Sequence, residues 1–73
     1  MIINVKINWS YTNWQDGFHT PSNRASYSLV PSDTPLQKVM ELAERTVAEN
    51  RKNPEFGETV KLINIELTEK KQP

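Results

Sequence analysis

The groups that could do chemistry in this 73-residue chain are few and scattered. His19 is its single imidazole, and it has no cysteine. A disulfide, a thiol nucleophile and a Cys- or His-cluster metal site are therefore out of reach. Ser10, Ser22, Ser26 and Ser28 have no base beside them in the sequence. Glu41, Glu44, Glu49, Glu55 and Glu58 could pair as carboxylates, but Glu41, Arg45 and Glu49 at i, i+4 read as a solvated helix face of alternating charge. Nucleophile, acid and base do not cluster. No enzyme activity, cofactor or metal is expected.

What the chain concentrates is rings. Residues 8–19, "NWSYTNWQDGFH", hold both Trp, one Tyr, one Phe and the His. Such rings can stack across a hairpin and stabilise it. They can also form a contact surface, because Trp and Tyr offer large area with few torsions to freeze. Both readings stay open. The second makes Asn8, Trp9, Tyr11, Trp14, Phe18, His19 and Arg24 the partner-binding residues.

Charge narrows the partner. Nine basic and nine acidic residues cancel. Residues 1–31 carry Lys6 and Arg24 against Asp16, so no basic stripe accompanies the rings. Stacking of single-stranded nucleic acid would need a positive groove as well. It is kept as an alternative, and no sequence-specific nucleic-acid contact is expected. No run approaches the roughly 18 apolar residues of a membrane span. The start, "MIINVKINWS", lacks a charged lead and a long apolar run, so a cytoplasmic chain is expected.

The elements that must hold the rings follow from periodicity. Ile3, Val5, Ile7, Trp9 and Tyr11 alternate with polar residues, which predicts a strand over 2–11 with one buried side. Ala25, Tyr27 and Leu29 alternate with Ser26 and Ser28, a second strand over 24–30 ended by Pro31. Residues 32–53 hold a helix. Thr34-Pro35-Leu36-Gln37 reads as a capping box with Pro at the first helical position. Leu36, Val39, Met40, Ala43 and Val47 make its apolar stripe. Asn53-Pro54 closes it, and "EFGE" is a turn in which Gly57 can take positive φ. A third strand covers 58–67. There Val60 and Leu62 are out of phase with Ile63, Ile65 and Leu67, so either a bulge shifts the phase or the outer face has an apolar spot. Residues 68–73 read as a frayed tail. The whole is one domain, 1–73, of the α+β class: ββαβ, with a three-stranded antiparallel sheet of order 2-1-3 and one helix on one face.

The hairpin poses a conflict. Asp16-Gly17 signals a two-residue turn, which would set Val5 opposite Ser28 and Ile7 opposite Ser26. That register turns Tyr27 and Leu29 away from the helix side. Burying them needs Val5 opposite Leu29 and Ile7 opposite Tyr27. A bulge near residues 20–23, beside Pro21, is the expected resolution.

"YSLVPSDTPLQKVMELA" resembles the strand-to-helix joint of ubiquitin-like β-grasp proteins, which implies an adaptor module. The chain ends in "KKQP", without a Gly-Gly tail, so conjugation is not implied. From "MIINVKINWSYTNW" to the polar tail, with its length, lack of Cys and near-neutral charge, the chain is also similar to small phage-encoded transcription regulators of a Xanthomonas phage type. That resemblance implies a non-enzymatic protein in the host cytoplasm, and a monomer is expected. It would bind the large subunits of bacterial RNA polymerase, inhibit initiation and promote antitermination.

Overall fold

The computed structural model describes residues 1–15 and 18–70, with side chains for all of these except 13–15, 18, 58 and 70. The elements are β1 (Ile2–Gln15), β2 (Phe18–Pro31), α1 (Leu36–Arg51), a 3-10 turn at Gly57–Thr59, and β3 (Lys61–Lys70). The strands form one antiparallel sheet of order β2-β1-β3. The helix packs over β1 and β3 on one face, which is the ββαβ arrangement read from the sequence.

The alternation of β1 becomes the core. Val5, Ile7, Trp9 and Tyr11 are buried against Val39, Ala43 and Val47 of α1 and against Val60. Leu42, Leu62, Ile65, Val30 and Phe56 pack around this cluster, partly buried. Burial of this kind contributes about 25 cal/mol per Å² of apolar area and is what a chain of this size depends on.

The register of β1 and β2 corrects one expectation. Pairing is regular from Ile2 opposite Pro31 to Gln15 opposite Phe18, with no bulge near residues 20–23. Val5 faces Ser28, and Ile7 faces Ser26. Tyr27 and Leu29 are therefore on the helix-free face, 64% and 53% exposed. The premise that failed was that Tyr27 and Leu29 must be buried beneath the helix. The helix sits over β1 and β3 instead, and small serines suffice beneath its flank. Asp16-Gly17, which prompted the two-residue turn, lies outside the described residues.

In β3 the phase shift is a bulge. Asn8 pairs with Asn64 and Trp9 with Leu62, so Ile63 has no opposite number on β1. Leu62 thereby returns to the helix side. The strand also runs to Lys70, beyond the expected end at 67, because Ile2, Ile3 and Asn4 offer it a ladder. Of the expected tail, residues 71–73 lie outside the described residues.

The capping box is not formed. Pro35 is the N-cap, and no side chain caps the helix. The Thr34 hydroxyl donates backward to the Pro31 carbonyl at 2.6 Å, while the Pro35 carbonyl accepts from Lys38 and Val39. Turned to that strand-end carbonyl, the hydroxyl takes no amide of the helix. Of the predicted stripe, Val39, Ala43 and Val47 are buried, but Leu36 and Met40 remain exposed. Gly57 does take φ +68° in the turn after the helix.

The molecule measures 47 × 24 × 16 Å, with a radius of gyration of 14.2 Å. A compact chain of this length would have a radius of about 11 Å. The difference is the hairpin: fourteen residues at about 3.3 Å each span the long axis. β3 pairs with β1 only as far as Ser10, so the far end of the hairpin projects beyond it.

Candidate protein interface

Sheltering the rings falls to the segment between α1 and β3. Asn53 accepts the Glu55 amide on its side chain and the Phe56 and Gly57 amides on its carbonyl, folding the turn back toward β1. Phe56 then stacks against Trp9 at 5.1 Å, nearly edge-on, and against Tyr11 at 4.7 Å between centroids. Trp9 and Tyr11 are 5.9 Å apart. The Arg24 guanidinium lies over Tyr11 at 5.8 Å and over Phe56 at 5.4 Å, a cation–π cover for the cluster. The Trp9 indole N–H donates to the Ser26 hydroxyl at 3.1 Å. Just past the end of β3, the Thr12 amide donates to the Thr59 hydroxyl at 2.9 Å, so the turn takes over the ladder.

Those contacts redistribute the residues picked from sequence. Trp9 and Tyr11 are only 3% and 7% exposed, which withdraws their rings from any contact surface. Arg24 stays exposed as the lid of the ring cluster. Asn8 spends its amide inside the sheet, and His19 is exposed, opposite Trp14 on the hairpin. The Trp14 and Phe18 side chains lie outside the described ones, though their backbones pair within the hairpin.

The surface that emerges is the helix-free face. Its rows run Tyr27–Lys6–Glu66 and Ala25–Asn8–Asn64 across the three strands. The middle is a polar network. The Asn8 side-chain amide donates to Asn64 Oδ1 at 2.6 Å and to Glu66 Oε2 at 2.7 Å, with Lys6 Nζ 3.6 Å from the same carboxylate. Beside this network stand Tyr27 and Leu29. Tyr27 lines two shallow hollows, one of about 360 Å³ with Lys6, Asn8, Asn23 and Asn64, the other of about 520 Å³ with Asn4, Leu29 and Thr68. Sequence reasoning placed Tyr27 and Leu29 in the core. The signal that could have found them was the Asp16-Gly17 turn taken at face value.

The network tunes one titration. The Asn8 amide, and after it the Lys6 charge, hold the Glu66 carboxyl below its ordinary value. A carboxylate favoured in the folded state adds stability above its unfolded pKa, and that contribution is lost as pH falls through the lower folded value. Replacing Asn8 with Ala is expected to raise the Glu66 pKa, and Lys6→Met to raise it less. Side-chain carboxyl shifts followed by NMR from pH 7 to 2.5 measure both. An unmoved Glu66 titration in the Asn8 variant would contradict the assigned cause.

Among the described residues no group of His, Asp or Glu is placed to hold a metal ion, and no helix is long and apolar enough to cross a membrane. Compared with known proteins, the chain matches no family model, no curated protein and no solved structure.

Proposed function

We infer that this chain is a non-enzymatic, protein-binding regulator that meets its partner with the helix-free face of the sheet. One observation carries the reading: Tyr27 and Leu29 are large apolar side chains held outward by the hairpin register, on a sheet whose opposite face carries the helix. A Tyr beside a polar network is a common anchor at protein interfaces, since its ring buries area and its hydroxyl keeps a partner. His19, exposed and in the same alternating row of β2 as Tyr27, extends this surface toward the far end of the hairpin. On this reading the partner is bacterial RNA polymerase, contacted at its large subunits in the cytoplasm, with initiation inhibited and antitermination promoted. The support for that partner is the resemblance to phage regulators.

Binding of the full chain to purified RNA polymerase tests both parts. The Tyr27→Ala, Leu29→Ala double variant is expected to keep its melting transition and to bind about thirtyfold more weakly, the loss of one anchor worth about 2 kcal/mol. Undiminished binding would remove this face from the reading. Failure of the unaltered chain to bind would remove the polymerase.

A further inference from the structure

A different surface remains. Four of the exposed apolar side chains, Leu36, Met40, Ile63 and Leu67, line one groove of about 360 Å³ between α1 and β3. β3 is an outer strand of the sheet, so the groove runs along a row of backbone groups that no strand among the described residues covers. The other outer strand, β2, carries Pro21 and Pro31, which blunt an edge by removing donors. β3 has no proline.

We propose that the edge of β3 pairs antiparallel with the same edge of a second copy, centred on Ile65, to give a two-fold dimer with a continuous six-stranded sheet. A two-fold axis perpendicular to the sheet keeps each side chain on its own face, so only registers centred on a residue, not between two, are allowed. Centring on Glu66 sets two carboxylates against each other. Centring on Leu67 sets Ile65 against the partner's Glu69, and centring on Asn64 carries the pairing across the bulge, where Leu62 on the helix side would lie opposite the partner's Glu66 on the other face. Centring on Ile65 matches both faces. On the helix side Ile65 meets the partner's Ile65, and Ile63, set free of β1 by the bulge, meets the partner's Leu67. On the other face Asn64 meets the partner's Glu66. Asn64 Oδ1 already accepts from Asn8, which leaves its –NH₂ as the donor, and Glu66 Oε2 is taken by Asn8 and Lys6, which leaves Oε1 as the acceptor. Leu36 and Met40 of both copies lie on the same side and shelter the apolar strip. The dimer replaces the monomer expected from sequence, and it does not depend on the polymerase reading, whose anchors sit on β2.

Sedimentation velocity of the full chain over a dilution series from millimolar to low micromolar tests this. The expected result is a monomer–dimer equilibrium with no larger species. Ile63→Lys and Leu67→Glu, each on a half-exposed side chain, are expected to weaken the dimer at least about tenfold while leaving the circular dichroism unchanged. With both substitutions in one chain, the new ammonium of each copy faces the new carboxylate of the other, once on either side of the two-fold axis, and dimerisation is expected to return. A chain that stays monomeric at millimolar concentration, or one that grows beyond a dimer, overturns the proposal. So does a double variant no better than the singles. Polymerase binding measured on the same variants keeps the two readings apart, because loss of the dimer leaves Tyr27 and Leu29 in place.

Discussion

Trp9→Ala is expected to leave the chain largely unfolded at 25 °C, whereas Tyr27→Ala leaves it folded. Trp9 is 3% exposed at the junction of β1, the Phe56 turn and the serine row of β2. Truncating such a ring removes its transfer energy and leaves a cavity, together about 3–5 kcal/mol. A core of this size supplies about 3–5 kcal/mol in all. The two figures meet, so the native state has nothing left over. Trp9→Phe separates the contributions. It keeps a ring but removes the N–H that donates to Ser26, and a loss near 1–2 kcal/mol is expected from the missing hydrogen bond and the smaller ring. Ser26→Ala removes the other partner, leaves the indole N–H unpaired and costs a similar amount. Far-UV circular dichroism and urea melts give all four values. If Trp9→Ala melted within about 1 kcal/mol of the unaltered chain, the ring would not be part of the core described.

Much of this arrangement was legible because the relevant physics is local. Alternation in β1 named Val5, Ile7, Trp9 and Tyr11 as one face, and the helical period named Val39, Ala43 and Val47. The phase slip of Val60 and Leu62 against Ile63, Ile65 and Leu67 narrowed that strand to a bulge or an apolar outer spot, and the ladder takes the bulge. What escaped was decided by competition between distant groups. Alternation says that Ala25, Tyr27 and Leu29 share a face but not which face. That choice follows from the helix lying over β1 and β3, where Ser26 and Ser28 fit beneath its flank and Ser26 accepts from Trp9. The orientation of the Thr34 hydroxyl depends on what the fold brings beside it, and the folded end of β2 presents the Pro31 carbonyl. Phe56 read as a turn residue because its ring partners lie at the other end of the chain. Rings read as either hairpin stacking or a contact surface were therefore partly absorbed by a turn, while Tyr27 and Leu29, counted as interior, became the candidate surface.

The turn makes its own prediction, in which stability and arm rigidity change together. Phe56→Ala is expected to cost about 2–3 kcal/mol, less than Trp9→Ala because Phe56 is only half-buried and solvent fills part of the space it leaves. Its loss uncovers one side of Tyr11, removes the second ring under Arg24 and loosens the turn that carries Thr59. Thr12 depends on that turn, since its amide has the Thr59 hydroxyl as acceptor where β3 no longer reaches. Native-state hydrogen exchange should therefore show the Thr12 amide opening faster in Phe56→Ala by more than the global stability loss explains, while amides of Val5 and Ile7 follow the global value. Thr59→Ala gives the complementary case: Thr12 exchange accelerates with the ring cluster intact. Arg24→Ala is expected to change stability by no more than about 0.5–1 kcal/mol, as an exposed cation over two rings contributes little. Unchanged Thr12 exchange in both Phe56→Ala and Thr59→Ala would mean that the arm is held by its own cross-strand ladder alone and that the turn does not brace it.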